Sequence, residues 1–265
     1  MILEYNKYKR IFAFGCSFTR YIYPTWAEII ANEMPLAEYY NFGESGGGNL
    51  FIAARIVEAN LRFNFCETDL VMVMYSTSFR EDRYLNNKWE THGHIYSQGF
   101  YPIETFVEPY CQPKGMLIRD LPMITASTDY LKRLSCDTFL LRAAPIKEEC
   151  KNDKLDEELI PIIELYKPVL DSFPPSLYEV EFSNGWRKGI TIIDNGKSHV
   201  DHHPLTNDYY NYLKKIGLNL TDRSEKFIEE TNLTLNKYYN VERKYYEKAF
   251  PKISDTIRKT RLLMF

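Results

Sequence analysis

The sequence predicts an α/β fold in which helices wrap a parallel sheet, and three observations predict it. Residues 11–14 and 70–75 are unbroken apolar runs rich in β-branched and aromatic side chains, the composition of strands covered on both faces. The stretches that follow such runs carry apolar residues at helical spacing. This alternation then repeats along the chain, as a parallel sheet with crossover helices requires.

Taken in order, the first strand reads Ile11-Phe12-Ala13-Phe14 and breaks at Gly15, where the chain can turn without a Cβ clash. Trp26, Ile29, Ile30 and Met34 predict a first helix within 21–34, its amino end beside Ser17. Residues 38–42 form a short second strand that ends in Gly43-Glu44-Ser45-Gly46-Gly47-Gly48-Asn49. A helix over about 50–63 follows, with Ala53, Ala54, Val57 and Leu61 on one face. Residues 70–75 are the clearest buried strand, 116–134 regain helical spacing, and 138–142 read as a fourth strand. Residues 190–193 read as a short further strand and 206–216 as a helix.

Three stretches depart from this repeat. Residues 79–115 scatter aromatics among Gly and Pro, as a long excursion over the sheet edge would. Residues 146–189 read as a charged helix followed by an irregular or hairpin insertion around Phe173-Pro174-Pro175 and Trp186. From Thr221 the chain is polar, helical and dense in Lys, Glu and Tyr. The expected organisation is one domain over 1–220 and a helical tail over 221–265, packed on the domain or on a second copy of the chain.

Composition narrows the function. The 265 residues are 45% hydrophobic and 26% charged, enough to bury a full core. Lys plus Arg number 33 against 36 Asp plus Glu, a balance that argues against nucleic acid as a partner. No apolar run reaches the roughly 20 residues that span a bilayer, and the first ten residues mix charges without a signal-type apolar stretch. A cytoplasmic location without membrane attachment is therefore expected, or export by a route the sequence does not display. The five cysteines are odd in number and lack a Cys-x-x-Cys pair, so reduced, mostly buried thiols are expected.

Ser17 falls where a buried strand breaks into a loop, at the carboxyl edge of the sheet where open α/β proteins bind ligands. A serine nucleophile needs a base and donors for an oxyanion. The glycine-rich loop after the second strand and Ser76-Thr77-Ser78 after the third are candidates for the donors. The base is suggested by His199-Val200-Asp201-His202-His203-Pro204, where Asp201 lies two residues from His203 and can orient its imidazole.

Four blocks in this order, Gly15-Cys16-Ser17-Phe18-Thr19, Asn41-Phe42-Gly43-Glu44-Ser45-Gly46, the strand end at 75–78 and Asp201-His202-His203-Pro204, resemble the SGNH (GDSL-type) hydrolases. The resemblance implies a flavodoxin-like three-layer α/β/α sandwich and a serine esterase without metal or organic cofactor. It makes Ser17 the nucleophile, His203 the general base, and the Ser17 and Gly46 backbone N–H groups oxyanion donors. Two blocks differ from the family pattern. Gly-x-Asn-Asp is replaced by Ser76-Thr77-Ser78-Phe79, so Ser78 or Thr77 would supply the third donor. Asp-x-x-His is replaced by Asp-x-His, so Asp201, Asp194 or a backbone carbonyl would orient the ring. The Gly-Cys-Ser-Phe-Thr opening is similar to a subset seen in phage genomes and surface-polysaccharide loci. That subset implies O-acyl (acetyl) removal from a carbohydrate, and a virion-associated location if the chain is phage-encoded. A sugar O-acyltransferase, or a glycan-binding module with decayed machinery, shares the same scaffold.

The remaining chemistry-bearing residues have plainer readings beside functional ones. Cys16 points opposite to Ser17 by strand alternation, into the core. Arg80 and Arg83 are candidate contacts for an acidic group on a substrate, with Asn49 beside the glycine loop as a third. Adjacent histidines seldom share one ion, and His92 and His94 could join the 199–203 cluster only by folding back, so no metal site is expected. No internal repeat or low-complexity segment is visible.

Overall fold

The computed structural model describes residues 2–96, 101–146, 156–185, 190–194, 196–237 and 243–261. At its centre is a four-stranded parallel sheet of β1 (Arg10–Phe14), β2 (Glu38–Asn41), β3 (Asp69–Tyr75) and β6 (Asp137–Arg142), in the order β2-β1-β3-β6. Every residue of β3 is buried, as its unbroken apolar run requires.

Alternation along the strands divides the core into two layers. Phe12, Phe14, Val71, Val73 and Tyr75 face α2 (Asn49–Phe63), α3 (Pro113–Lys132) and α4 (Asp156–Leu170). Ile11, Ala13, Leu70, Met72 and Met74 face α1 (Trp26–Glu33), α5 (Leu177–Glu181) and α6 (Thr206–Lys215). The result is the α/β/α sandwich expected from the sequence, since strands with apolar side chains on both faces need helices on both.

Several elements differ from expectation. The first helix begins at Trp26, not near Tyr21. Thr25 caps it, accepting from the Ala27 N–H at 3.3 Å while its own N–H donates to Glu28 Oε2 at 2.9 Å. This reciprocal pair is the Thr-x-x-Glu capping box, and it starts the helix nine residues after Ser17. Residues 190–193 do form a strand, β7 (Ile190–Asp194), but it pairs antiparallel with β8 (Lys197–Asp201) in a separate hairpin and adds nothing to the central sheet. The excursion after β3 is also a hairpin, β4 (Arg80–Leu85) with β5 (Lys88–His94), followed by a π-helical turn over Ile103–Val107. Of the second insertion, α4 and α5 are seen, while Trp186 lies outside the described residues.

Among the described residues the tail comprises α7 (Asp222–Lys237), α8 (Arg243–Ala249) and α9 (Pro251–Arg261). Ile228 of α7 enters the α1 side of the core. Glu33 of α1 accepts hydrogen bonds from Thr221 N, Thr221 Oγ1 and Ser224 Oγ, tying α7 to α1. Thr260 of α9 accepts from the Asn41 N–H at 3.4 Å, so α9 covers the edge that β2 would otherwise present to solvent. Cys16, Cys111 and Cys136 are buried thiols and Cys66 is half-buried, whereas Cys150 lies outside the described residues.

Candidate active site

The sheet brings three loops to one edge. In register, Phe14 of β1 pairs with Val73 of β3 and Ala13 with Asn41 of β2, so the segments after these residues leave the sheet together. The Gly15 carbonyl accepts from the Glu44 N–H at 3.1 Å, which draws the glycine-rich loop alongside the turn that carries Ser17. On the other side, a Cβ at Gly15 would stand 3.0 Å from the Met74 carbonyl and 2.0 Å from Thr19 Oγ1. A side chain at 15 would wedge the turn apart, and glycine is the residue that fits.

After Gly15 the chain makes a single turn, with Thr19 N and Arg20 N donating to the Cys16 carbonyl at 2.9 and 3.2 Å. Ser17 is carried by this turn and not by the end of α1, whose first donors are taken by its own cap. The residue is 5% exposed, and Cys16 is fully buried. Thr19 O accepts from Thr25 Oγ1 and Asn41 Nδ2, both at 2.9 Å, and so anchors the turn from beneath.

His203 arrives from the far end of the chain. Its Nε2 lies 2.8 Å from Ser17 Oγ, and its Nδ1 lies 2.5 Å from Asp201 Oδ1. The same carboxylate oxygen accepts the His203 backbone N–H at 3.1 Å. An aspartate that binds the N–H two residues on forms an Asx turn, and that turn folds the i+2 side chain back toward the carboxylate. This is how Asp-x-His, one residue shorter than the usual spacing, still pairs the two groups. Asp201 closes β8, and Thr206 Oγ1 donates to Pro24 O at 2.7 Å, fastening the start of α6 to the segment that follows the Ser17 turn. The Asp194 and His199 side chains lie outside the described residues.

Burial by itself would push the Asp201 carboxyl up, but hydrogen bonding and charge attraction from His203, with a hydrogen bond from Tyr21, bring it below its ordinary value. The carboxylate is thus ionised at neutral pH and accepts Nδ1–H. That leaves the Nε2 lone pair toward the Ser17 hydroxyl, an assignment made from the hydrogen bonds. A hydroxyl, an imidazole and a carboxylate in this sequence can move a proton off oxygen and return it to a leaving group.

Around the triad are residues the sequence reading did not single out. Tyr21 stacks on the His203 ring, with centroids 4.0 Å apart and planes inclined by 19°, and Phe18 meets the same ring edge-on at 5.6 Å. Tyr23 OH donates to the His203 carbonyl at 3.4 Å. The capping box at 25–28 places 21–23 before the helix, which leaves them free to pack on His203.

The oxyanion candidates are positioned differently from one another. Gly46 has φ +76, the left-handed region, and a Cβ there would meet the Thr91 carbonyl at 2.2 Å. The β4–β5 hairpin is thus seated directly on the glycine loop, held also by Thr91 Oγ1 donating to Ser45 O at 2.8 Å. Thr77 is half-buried, and its hydroxyl accepts from Arg80 Nε at 2.9 Å. Ser78 is 1% exposed and turned inward.

Two candidate substrate contacts do not face the site. Asn49 is fully buried. Its carbonyl oxygen accepts from Ser76 N at 2.9 Å, and its amide donates to Ser76 O and Asp120 Oδ2 at 3.3 and 3.2 Å. It braces the end of β3 against α2 and α3, because its position at the start of α2 directs it inward. Arg83 pairs with Glu81 at 2.8 Å and lies 4.6 Å from the Phe106 ring centroid. Side chains alternate along a strand, and Arg83 lies on the hairpin face opposite Asp82, whose carboxylate accepts from Gly48 N and Phe51 N at the glycine loop. Arg80 remains at the site's rim, with Nη1 donating to Gly47 O at 3.2 Å. Among the described residues no group of three or more His, Cys, Asp and Glu side chains could hold a metal ion, and no helix is long and apolar enough to cross a membrane.

No protein-family model and no curated protein matches this sequence. Among solved structures, the chain is similar to a GDSL-like lipase from Bacteroides thetaiotaomicron, with a TM-score of 0.43 and 13% identity over 83% of this chain and 90% of that one. It is similar also to a member of the lipolytic protein G-D-S-L family from Veillonella parvula, with a TM-score of 0.43 and 15% identity over 78% and 94% of the two chains.

Proposed function

We propose that this protein is a serine ester hydrolase of SGNH type that removes a small O-acyl group, acetyl above all, from a carbohydrate. One observation carries the reading: Ser17 Oγ, His203 Nε2 and Asp201 Oδ1 are joined in series by hydrogen bonds of 2.8 and 2.5 Å at the carboxyl edge of the sheet. The carbohydrate half rests on the sequence resemblance described above.

In this mechanism His203 Nε2 takes the Ser17 proton as Oγ bonds to the acyl carbon. The carbonyl π electrons move to oxygen, and the N–H groups of Ser17 and Gly46 stabilise the resulting oxyanion. Asp201 stabilises the imidazolium and keeps the ring oriented. The tetrahedral intermediate collapses, the carbon–oxygen bond to the sugar breaks, and Nε2–H protonates the departing alkoxide. Water then attacks the acyl-serine with the same base, which releases the acid and restores Ser17.

Thr77 is the better third oxyanion donor. Its hydroxyl accepts from the Arg80 guanidinium and retains its own proton to give, whereas Ser78 is buried. The site lacks the side-chain amide that occupies this position in the family pattern. That difference favours, as a second reading, a glycan-binding or structural module on the same scaffold whose catalytic machinery has decayed.

A fluorophosphonate probe tests the proposal. Wild-type protein should be labelled, and Ser17→Ala and His203→Ala should not. Absence of labelling from mildly acidic to alkaline pH would remove the enzyme reading and leave a binding module. Product analysis with an O-acetylated sugar, with and without an acceptor sugar, separates hydrolysis from transfer.

A further inference from the structure

We infer that Tyr21 is the positioning residue of this site, fixing the plane of the His203 imidazole so that Nε2 meets Ser17; the inference rests on the hydrolase reading for its catalytic consequence but not for its structural one. The Asp-x-His spacing leaves a single residue between Asp201 and His203. Asp201 Oδ1 receives both the backbone N–H and the Nδ1–H of His203, so the pair closes a small local ring within one Asx turn. Such a ring fixes the distance between the two residues. The Nδ1–H hydrogen bond holds one edge of the imidazole, and a tilt of the ring about that edge would still move Nε2 relative to Ser17 Oγ.

A second constraint is therefore needed on the ring face, and Tyr21 supplies it. Its ring lies nearly parallel to the imidazole at 4.0 Å, close enough that rotation of His203 would drive the two rings together. Phe18, edge-on at 5.6 Å, limits the movement of the imidazole from another direction. Tyr21 is itself held by an edge-to-face contact with Tyr23 at 4.9 Å. Both tyrosines belong to a small buried cluster with Ile22, Ile192, Leu235 and Tyr246. The support for the base thus comes from three places: the segment before α1, the β7–β8 hairpin and the tail helices. The tyrosine face also carries negative quadrupole potential toward the ring that becomes imidazolium when Ser17 gives up its proton, an interaction stronger in the charged state than in the resting one.

The test uses the full-length protein and three substitutions. Tyr21→Leu and Tyr21→Met remove the aromatic face while keeping apolar bulk, and Tyr21→Phe keeps the face while removing the hydroxyl. With a short-chain aryl ester, kcat should fall about 10- to 100-fold in the Leu and Met variants with KM within about twofold, and Tyr21→Phe, which keeps the stacked face and gives up only the hydrogen bond to Asp201, should retain more kcat than either. A merely structural role would lower the fraction of active enzyme, seen by active-site titration, without changing kcat per labelled site. The downfield proton resonance of the Asp201–His203 hydrogen bond gives a readout independent of turnover. It should be sharp in wild type and Tyr21→Phe, and broadened or lost in Tyr21→Leu and Tyr21→Met. Wild-type kcat per site and a wild-type resonance in both ring-less variants would overturn the inference. If wild type shows no turnover but the resonance still responds to loss of the ring, the hydrolase reading fails and the positioning role stands.

Discussion

At the scale of single residues, the chemistry depends on how few atoms separate function from its loss. Asp201→Asn keeps the shape of the Asx turn but removes the negative charge that stabilises the imidazolium; turnover should drop on the order of 1,000- to 10,000-fold, read as the initial rate on an aryl ester. Thr77→Val should lower kcat by roughly 100-fold with KM little changed, while Ser78→Ala should be near neutral for rate. If the two swap effects, Ser78 is the donor. Asp120 provides a separate test of the electrostatics behind β3. Burial pushes its carboxyl up to about 6, against the opposing pull of Arg119 and the Asn49 amide. Its folded pKa lies above its unfolded one, so between about pH 4 and 6 the native state binds the extra proton. Stability from this group is present at the acid end of that window and is lost as pH rises through it, by at most about 3 kcal/mol. Urea midpoints compared at either end should show a smaller fall in Asp120→Asn than in wild type. Asp201 has the opposite sign: its depressed pKa adds stability above the ordinary carboxylate range, lost as pH falls through the folded value.

At the scale of elements, the β4–β5 hairpin is the piece that makes the glycine loop a defined structure. Asp82 takes the N–H groups of Gly48 and Phe51 at 2.8 and 3.0 Å, capping α2 from another element because Gly48 has no side chain to do so. Asp82→Ala should cost about 1–2 kcal/mol in chemical denaturation and should slow fluorophosphonate labelling, since the loop loses its clamp. Gly46→Ala is more severe for activity. It combines a positive φ with a methyl aimed at the Thr91 carbonyl, so the hairpin must shift to admit it. A Gly46→Ala protein that labels at the wild-type rate would show that this loop has no part in the oxyanion site.

At the scale of the molecule, residues nearly two hundred positions apart are brought together by the order in which the strands are laid down. The β1, β2 and β3 carboxyl ends collect the Ser17 turn, the glycine loop and residues 76–78, and the segment after β8 crosses back to bring His203 beside Ser17. The tail contributes to that arrangement. Leu235 and Tyr246 pack in the cluster that contains Tyr21 and Tyr23. Leu235→Ala should cost roughly 2–4 kcal/mol, and it should lower kcat as well, because the cavity lies behind the support of His203. Equal kcat per labelled site in this variant would mean that the tail stabilises the fold without reaching the base.

The central strands, the principal helices and the serine at a strand end were legible in the sequence because they are written in local periodicity and in glycine. The choice of Asp201 over Asp194 or a backbone carbonyl was left to the structure, but that Asp201 could reach His203 was legible too, as both lie within one turn. Where β7 pairs, which face of the hairpin Arg83 takes, and that Asn49 turns inward were not, because each depends on contacts with elements distant in the chain. For Tyr21 and Tyr23 the capping box at 25–28 marks only that they precede the helix, and their packing on His203 depends on the far end of the chain. The sequence by itself determined that a hydroxyl, an imidazole and a carboxylate were available in an α/β chain; only the tertiary structure decided that they meet, since hydrogen-bond distance between positions 17 and 203 is a property of packing and not of spacing.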